Sequence, residues 1–125
     1  MRIGVLGAGS VGCFVGGLLA QGGTEVVFVG RSAVGADVAA HGLTVQRVNG
    51  RVHTVPATAV AWSTRPEALE GCGAVLVCVK GGDTAVAARA ASPHLAPEAV
   101  VLSLQNGVDN VAVLDRHLGG RAVWP

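Results

Sequence analysis

The sequence has no tyrosine, two phenylalanines and two tryptophans, so aromatic residues make up only 3% of it. A surface that stacks nucleic-acid bases needs aromatics beside a clustered basic face. Neither is there: nine basic and eight acidic residues leave a net charge of +1, with no basic run. Charged residues are 14% of the chain and hydrophobic residues 50%, the reverse of the balance that keeps a chain disordered. No uninterrupted apolar stretch approaches the ~18 residues that span a bilayer. Nor does a cationic leader with a cleavage site precede the first apolar run. These absences predict one compact domain over residues 1–125, with no nucleic-acid or membrane partner and the cytoplasm as its compartment.

Metal and thiol chemistry are thinly represented too. Cys13, Cys72 and Cys78 are odd in number and lack C-x-x-C spacing. Cys13 falls on an expected helix and Cys78 in an apolar run, where thiols serve packing. His41, His53, His94 and His117 are scattered without ligand spacing, so no metal site is expected.

What the chain has in abundance is glycine, 19 residues, and its placement near the start is informative. The apolar run Arg2-Ile3-Gly4-Val5-Leu6 leads into Gly7-Ala8-Gly9-Ser10-Val11-Gly12, which fits G-x-G-x-x-G. In a dinucleotide-binding βαβ unit, Gly7 would permit the tight turn and Gly9 the close approach of a pyrophosphate. Gly12 would let the helix lie against the strand. The phosphates would meet unpaired N–H groups and the positive end of a helix dipole. Val11, Val15, Leu18 and Leu19 form a helical stripe, and Gly22-Gly23 supplies a stop. Gly12 and Gly16, one turn apart, allow close backbone packing.

Regular α/β alternation follows. Glu25–Val29 reads as a strand buried on both faces, ending at Gly30-Arg31-Ser32. Ser32 is a plausible N-cap for a helix to about His41, with Val34 and Val38 inward and Gly42 closing it. Residues 43–48 and 51–55 alternate around Asn49-Gly50, a type I′ turn signal, predicting a hairpin appended to the parallel sheet. Pro56 to Gly73 reads as irregular, with a helical turn near Pro66 to Leu69. Ala74–Val79 is a third parallel strand stopping at Lys80. Asp83 can cap a helix carrying Val86, Ala87, Ala90 and Ala91, ended by Pro93. Residues 100–104 form a fourth strand ending at Gln105-Asn106-Gly107. Val111, Leu114 and Leu118 stripe a last helix, and Ala122-Val123-Trp124 begins one more strand. The fold class is α/β, a Rossmann-type doubly wound, mostly parallel sheet with an added β-hairpin.

Ligands of open α/β sheets bind beyond the carboxyl ends of the strands, which makes Gly7, Arg31, Lys80 and Asn106 the informative positions. NAD-binding units carry an acid at the second strand end for the ribose hydroxyls; here Arg31 with Ser32 suits the 2′-phosphate of NADP(H). Lys80 is the only lysine in the chain and precedes Gly81-Gly82. Its ammonium could meet a cofactor phosphate or ribose, or a substrate carboxylate. Asn106 offers amide donors and an acceptor at the next strand end, and Asn-Gly is equally common turn chemistry.

Taken together, Gly7 to Gly12, Val29-Gly30-Arg31, Val79-Lys80 with Asp83-Thr84, and Leu104-Gln105-Asn106-Gly107 resemble ketopantoate reductase (2-dehydropantoate 2-reductase) over almost the whole chain. The resemblance implies an N-terminal Rossmann domain that binds NADPH for reduction of 2-dehydropantoate in pantothenate synthesis. It implies the pyrophosphate on Gly7, Ala8, Gly9, Ser10, Val11 and Gly12, and the 2′-phosphate on Arg31. Lys80 and Asn106 would lie by the ribose and nicotinamide, Asn106 also near the 2-keto acid substrate. In that family a second, helical domain supplies the general-acid lysine and further substrate contacts. No residue here matches that lysine, so the chain is expected to be the cofactor half, with no catalytic residue of its own. Its domain-facing surface, including Trp124, would then be apolar enough to favour a homodimer or larger species. Alternatives are a non-catalytic NADP(H)-binding regulatory module, or a reductase of a related 2-keto acid.

Overall fold

A computed structural model of the chain describes residues 1–106 and 109–125; Gly107, the last residue of the Gln-Asn-Gly segment, lies outside them. Among the described residues, eight strands and four α-helices follow in the order β1 (Arg2–Leu6), α1 (Ser10–Gln21), β2 (Glu25–Val29), α2 (Ser32–His41), β3 (Leu43–Gln46), β4 (Val52–Val55), β5 (Ala61–Ser63), β6 (Ala74–Val77), α3 (Thr84–Ala91), β7 (Val100–Ser103), α4 (Asn110–His117) and β8 (Ala122–Trp124). Short 3₁₀ turns link several of them, including Pro66–Leu69, where the sequence predicts a turn. No helix among the described residues is long and apolar enough to cross a membrane.

Six strands form one sheet in the order β5-β2-β1-β6-β7-β8, and every neighbouring pair is parallel. The chain winds outward from β1 through β2 to β5, then returns to β6 on the other side of β1. Strand order therefore reverses between β1 and β6. Consecutive residues of β1 explain why its run is continuously apolar: Val5 faces one core and Leu6 the other. The Leu6 side packs Val27, Val77 and Val101 against Leu69, Ala88, Leu95 and Leu114. The Val5 side packs Phe28 and Leu76 against Ala8, Val38, Leu43 and Val55.

Several expectations need correction. The stripe expected on α1 holds only in part: Val15 and Leu19 are half-buried against the core, but Val11 is 50% exposed and the fully buried residues are Gly12, Gly16 and Gly17. A Cβ at Gly16 would collide with the Phe28 ring, and one at Gly17 with Val45, so missing side chains let this helix approach both sheet and hairpin. In α2, Ser32 is the first helical residue and the cap position is Arg31; Val38 is buried while Val34 faces outward.

The expected added hairpin is present as β3–β4, a two-stranded sheet of its own packed on α1. Its turn is not type I′, because only Gly50 has positive φ (+82°) and Asn49 does not. Gly50 N–H donates to the Arg47 carbonyl at 3.0 Å, and Arg47 N–H to the Arg51 carbonyl at 2.8 Å, a three-residue loop with its left-handed residue last.

Within the stretch read as irregular, Ala61–Ser63 pairs with β2 as the edge strand β5, and Trp62 stacks on Phe28 at 5.8 Å between ring centroids. β6 stops at Val77, two residues early. The inner face of α3 is Thr84, Ala88 and Ala91; Val86 and Ala90 point outward. Asp83 stands at its cap position without a side-chain hydrogen bond.

Candidate cofactor cleft

A cleft of about 780 Å³ opens at the carboxyl ends of β1, β2 and β6, where the strand order reverses. Its floor is the glycine turn. Gly7 has φ +93°, and a Cβ there would lie 2.5 Å from Val79 Cγ1 and 2.6 Å from Val79 N, so only glycine fits. Gly7 and Ala8 N–H both donate to the Val29 carbonyl at 3.0 Å, tying the turn to the end of β2. Cys78 N–H donates to the Leu6 carbonyl at 2.8 Å, tying β1 to the segment before Lys80.

Gly9 is different, since a Cβ there would touch nothing within 4 Å. Its backbone (φ −91°, ψ −151°) is open to any residue, so neither strain nor internal packing accounts for glycine at this position. Gly9 caps α1 with no side-chain hydrogen bond and no acidic residue in the first turn. The first-turn N–H groups thus keep their capacity for an anion, beside a surface with room for one. Gly12 supports the turn from behind: a Cβ would lie 2.7 Å from the Gly7 oxygen and 2.8 Å from Val5 Cγ1.

Arg31 and Ser32 at the start of α2, and Lys80 with Asp83 beyond β6, complete the rim. Arg31 and Lys80 are both exposed, and the ion pairs among the described residues lie elsewhere. The structure therefore brings Gly7, Ala8, Gly9, Ser10, Arg31 and Lys80 to one cleft. Val11, Gly12 and Asn106 are not among its lining residues; Asn106 is exposed beyond β7, one strand further along the same edge. Thr64, just past β5, also lines the cleft and carried no signal in the sequence.

Cys78 borders the cleft too. Burial pushes its thiol up to about 11, with a further contribution from neighbouring Cys13. Burial raises Cys13 and Cys72 as well, so all three are poor nucleophiles near neutrality.

Polar side chains support the rim from behind, linked in a way the sequence does not show. Thr84, Ser103 and Asn110 are buried, and Gln105 links them across the ends of β6 and β7. Thr84 and Gln105 stood in segments that carry the family resemblance, but no role followed from them; Ser103 and Asn110 carried no signal.

The residues present fit a pyrophosphate in their geometry. The turn has positive-φ glycine where the backbone requires it, open space at Gly9, and an uncapped helix N-terminus with cationic side chains nearby.

Comparison with known proteins places the chain among related sequences. The family model described as Ketopantoate reductase PanE/ApbA matches residues 3–125. The 2-dehydropantoate 2-reductase of Halobacterium salinarum is 41% identical over 119 residues, covering 94% of this chain and 38% of that protein. A crystal structure of a PanE/ApbA family ketopantoate reductase from Ralstonia eutropha superposes with a TM-score of 0.89 at 41% identity, over 98% of this chain and 40% of that one. The 2-dehydropantoate 2-reductase of Geobacter metallireducens gives 0.84 at 31% identity, over 97% and 40%. The chain thus spans about two fifths of the length of these relatives.

Proposed function

Because the chain belongs to the ketopantoate reductase family, we propose that it forms the NADP(H)-binding half of an enzyme that reduces 2-dehydropantoate to pantoate. That reaction serves pantothenate biosynthesis, a cytoplasmic process. The observation that carries the reading is the convergence of the glycine turn, Arg31 and Lys80 on one cleft at the strand-order reversal. NADPH, when bound, supplies the hydride. Backbone N–H groups of the first turn of α1, at Ser10, Val11 and Gly12, hold the pyrophosphate, and Gly7, Ala8 and Gly9 give it room to approach. Arg31, with the Ser32 hydroxyl beside it, holds the 2′-phosphate. Lys80 and Asn106 orient the ribose and nicotinamide, and Asn106 also meets the 2-keto acid. The proton for the developing alkoxide and most substrate contacts are assigned to the part of such an enzyme outside the matched region, which is 38% of the Halobacterium protein.

Fluorescence titration with NADPH and NADH, on the wild type and on Arg31→Ala, tests the reading. Wild-type binding should prefer NADPH. Arg31→Ala should cost about 1.5–3 kcal/mol with NADPH and almost nothing with NADH. Equal losses for both would remove the 2′-phosphate assignment; no binding of either would remove the cofactor assignment. The alternative is a non-catalytic NADP(H)-binding module, which would bind the cofactor without reducing a keto acid. Turnover of 2-dehydropantoate with NADPH, measured after fusing the chain to the remaining part of a family member such as the Halobacterium protein, separates the two.

A further inference from the structure

Thr84, Ser103 and Asn110 are the buried polar side chains among the described residues, and all three join one hydrogen-bonded chain. Ser103 Oγ donates to Gln105 Oε1 at 3.1 Å. Gln105 Nε2 donates to Thr84 Oγ1 at 2.7 Å and to the Val79 carbonyl at 2.8 Å. Thr84 Oγ1 donates in turn to Asn110 Oδ1 at 3.2 Å, and Asn110 Nδ2 donates to the Asn106 carbonyl at 2.6 Å. Each hydroxyl proton is used once, and each amide presents the group its neighbour requires.

Polar groups in such a place are costly unless every one is satisfied, and a satisfied network then admits a single arrangement. Where this one ends is informative. One end is the carbonyl of Val79, the residue before Lys80; the other is the carbonyl of Asn106 itself. Asn110 also abuts Gly81, the residue after Lys80, where a Cβ would lie 3.6 Å from Asn110 Oδ1. Lys80 is thus braced on both sides, and Asn106 is held from the same side chains.

We propose that Gln105, Thr84 and Asn110 are positioning residues that fix Lys80 and Asn106 relative to each other at the nicotinamide end of the cofactor. The inference rests on the cofactor reading above. Thr84 is the junction, 1% exposed, accepting from one amide and donating to the other.

Thr84→Val keeps the volume and removes both hydrogen bonds. Two probes divide the cleft: NADPH occupies its full length, whereas adenosine 2′,5′-bisphosphate lacks the nicotinamide end. If the rim is correctly arranged only a tenth of the time, apparent NADPH affinity falls about tenfold. Adenosine 2′,5′-bisphosphate affinity should stay at the wild-type value, and Thr84→Ser should restore NADPH binding. Asn110→Asp, which keeps the acceptor for Thr84 and loses the donor to Asn106, should give the same split between probes and guards against Thr84→Val failing to fold. Equal weakening of both probes, or no weakening of NADPH, in a folded variant overturns the positioning role and leaves the cofactor reading intact. Wild-type protein that binds neither probe overturns both.

Discussion

Gly9→Ala separates a residue kept for folding from one kept for a ligand. Two folding terms act on this substitution and oppose each other. Alanine restricts the unfolded chain, which stabilises by about 0.4–1 kcal/mol where the native backbone is compatible. The backbone here is compatible, and a Cβ meets nothing within 4 Å. Against this, Gly9 is the N-cap of α1, where alanine is worse than glycine by about 0.5–1 kcal/mol. The sum should lie within about 0.5 kcal/mol of zero, a change in Tm of roughly 2 °C for a domain this size. Binding has no such cancellation. A methyl group at the closest approach of the pyrophosphate displaces a charge-assisted hydrogen bond of about 1.5–3 kcal/mol, which is about ten- to hundredfold in Kd. Thermal melts and NADPH titrations on the same preparation read both quantities. A Gly9→Ala protein that binds NADPH like the wild type would refute the reasoning, and so would one destabilised by several kcal/mol.

Gly12→Ala should fail in both assays. About 1 kcal/mol of helix propensity is outweighed by overpacking of about 1–3 kcal/mol, because the neighbour at 2.7 Å is the Gly7 backbone oxygen; wild-type urea midpoint and NADPH affinity would contradict this. The raised Cys78 thiol, about 11 against an ordinary 9.0, means that the folded state holds this proton more tightly than the unfolded chain. Stability is complete below about pH 9 and declines as pH rises toward about 11. Urea midpoints at about pH 8 and about pH 10.5 should fall, less so in Cys78→Ala, and a rise would refute the sign. Trp124, 58% exposed on the edge strand β8, should promote self-association. Sedimentation should find a homodimer or larger species, and a clean monomer would count against it.

The glycine turn was legible because its physical requirements name a residue type. Positive φ and close approach at Gly7 admit glycine alone, and the fixed spacing recurs wherever backbone meets phosphate. Continuous apolar runs marked β1, β2, β6 and β7 for the same reason, burial on both faces. Hydropathy misled where packing depends on the absence of a side chain. Gly12, Gly16 and Gly17 are the most buried residues of α1, while the stripe that periodicity selects is inward at Val15 and Leu19 but exposed at Val11. Small residues likewise make the inner face of α3, with Val86 outside. β5 was hidden because Ala61–Ser63 is too short for a period and owes its pairing to β2. Trp62 sits there because Gly30 and Gly35 leave room for its ring, a relation visible only in three dimensions. The rim residues could be named singly from their strand ends. The network behind them joins positions 21 to 26 apart in sequence, which no local pattern registers.

The all-parallel pairing of β1 also bears on how the chain is made. β1 has two neighbours: Ile3 pairs with Val26 on one side and with Ala74 on the other. On a ribosome adding about 5–20 residues per second, the interval between completing β2 and completing β6 is about two to ten seconds. Throughout it, the strongly apolar β1–β2 pair has one unpaired central edge and no partner for it, the condition under which nascent chains meet chaperones or each other. The glycine turn waits for the same event, since its packing surface is Val79 and the Cys78 backbone. The floor of the cleft, first in the sequence, is therefore finished only when the chain has reached residue 79.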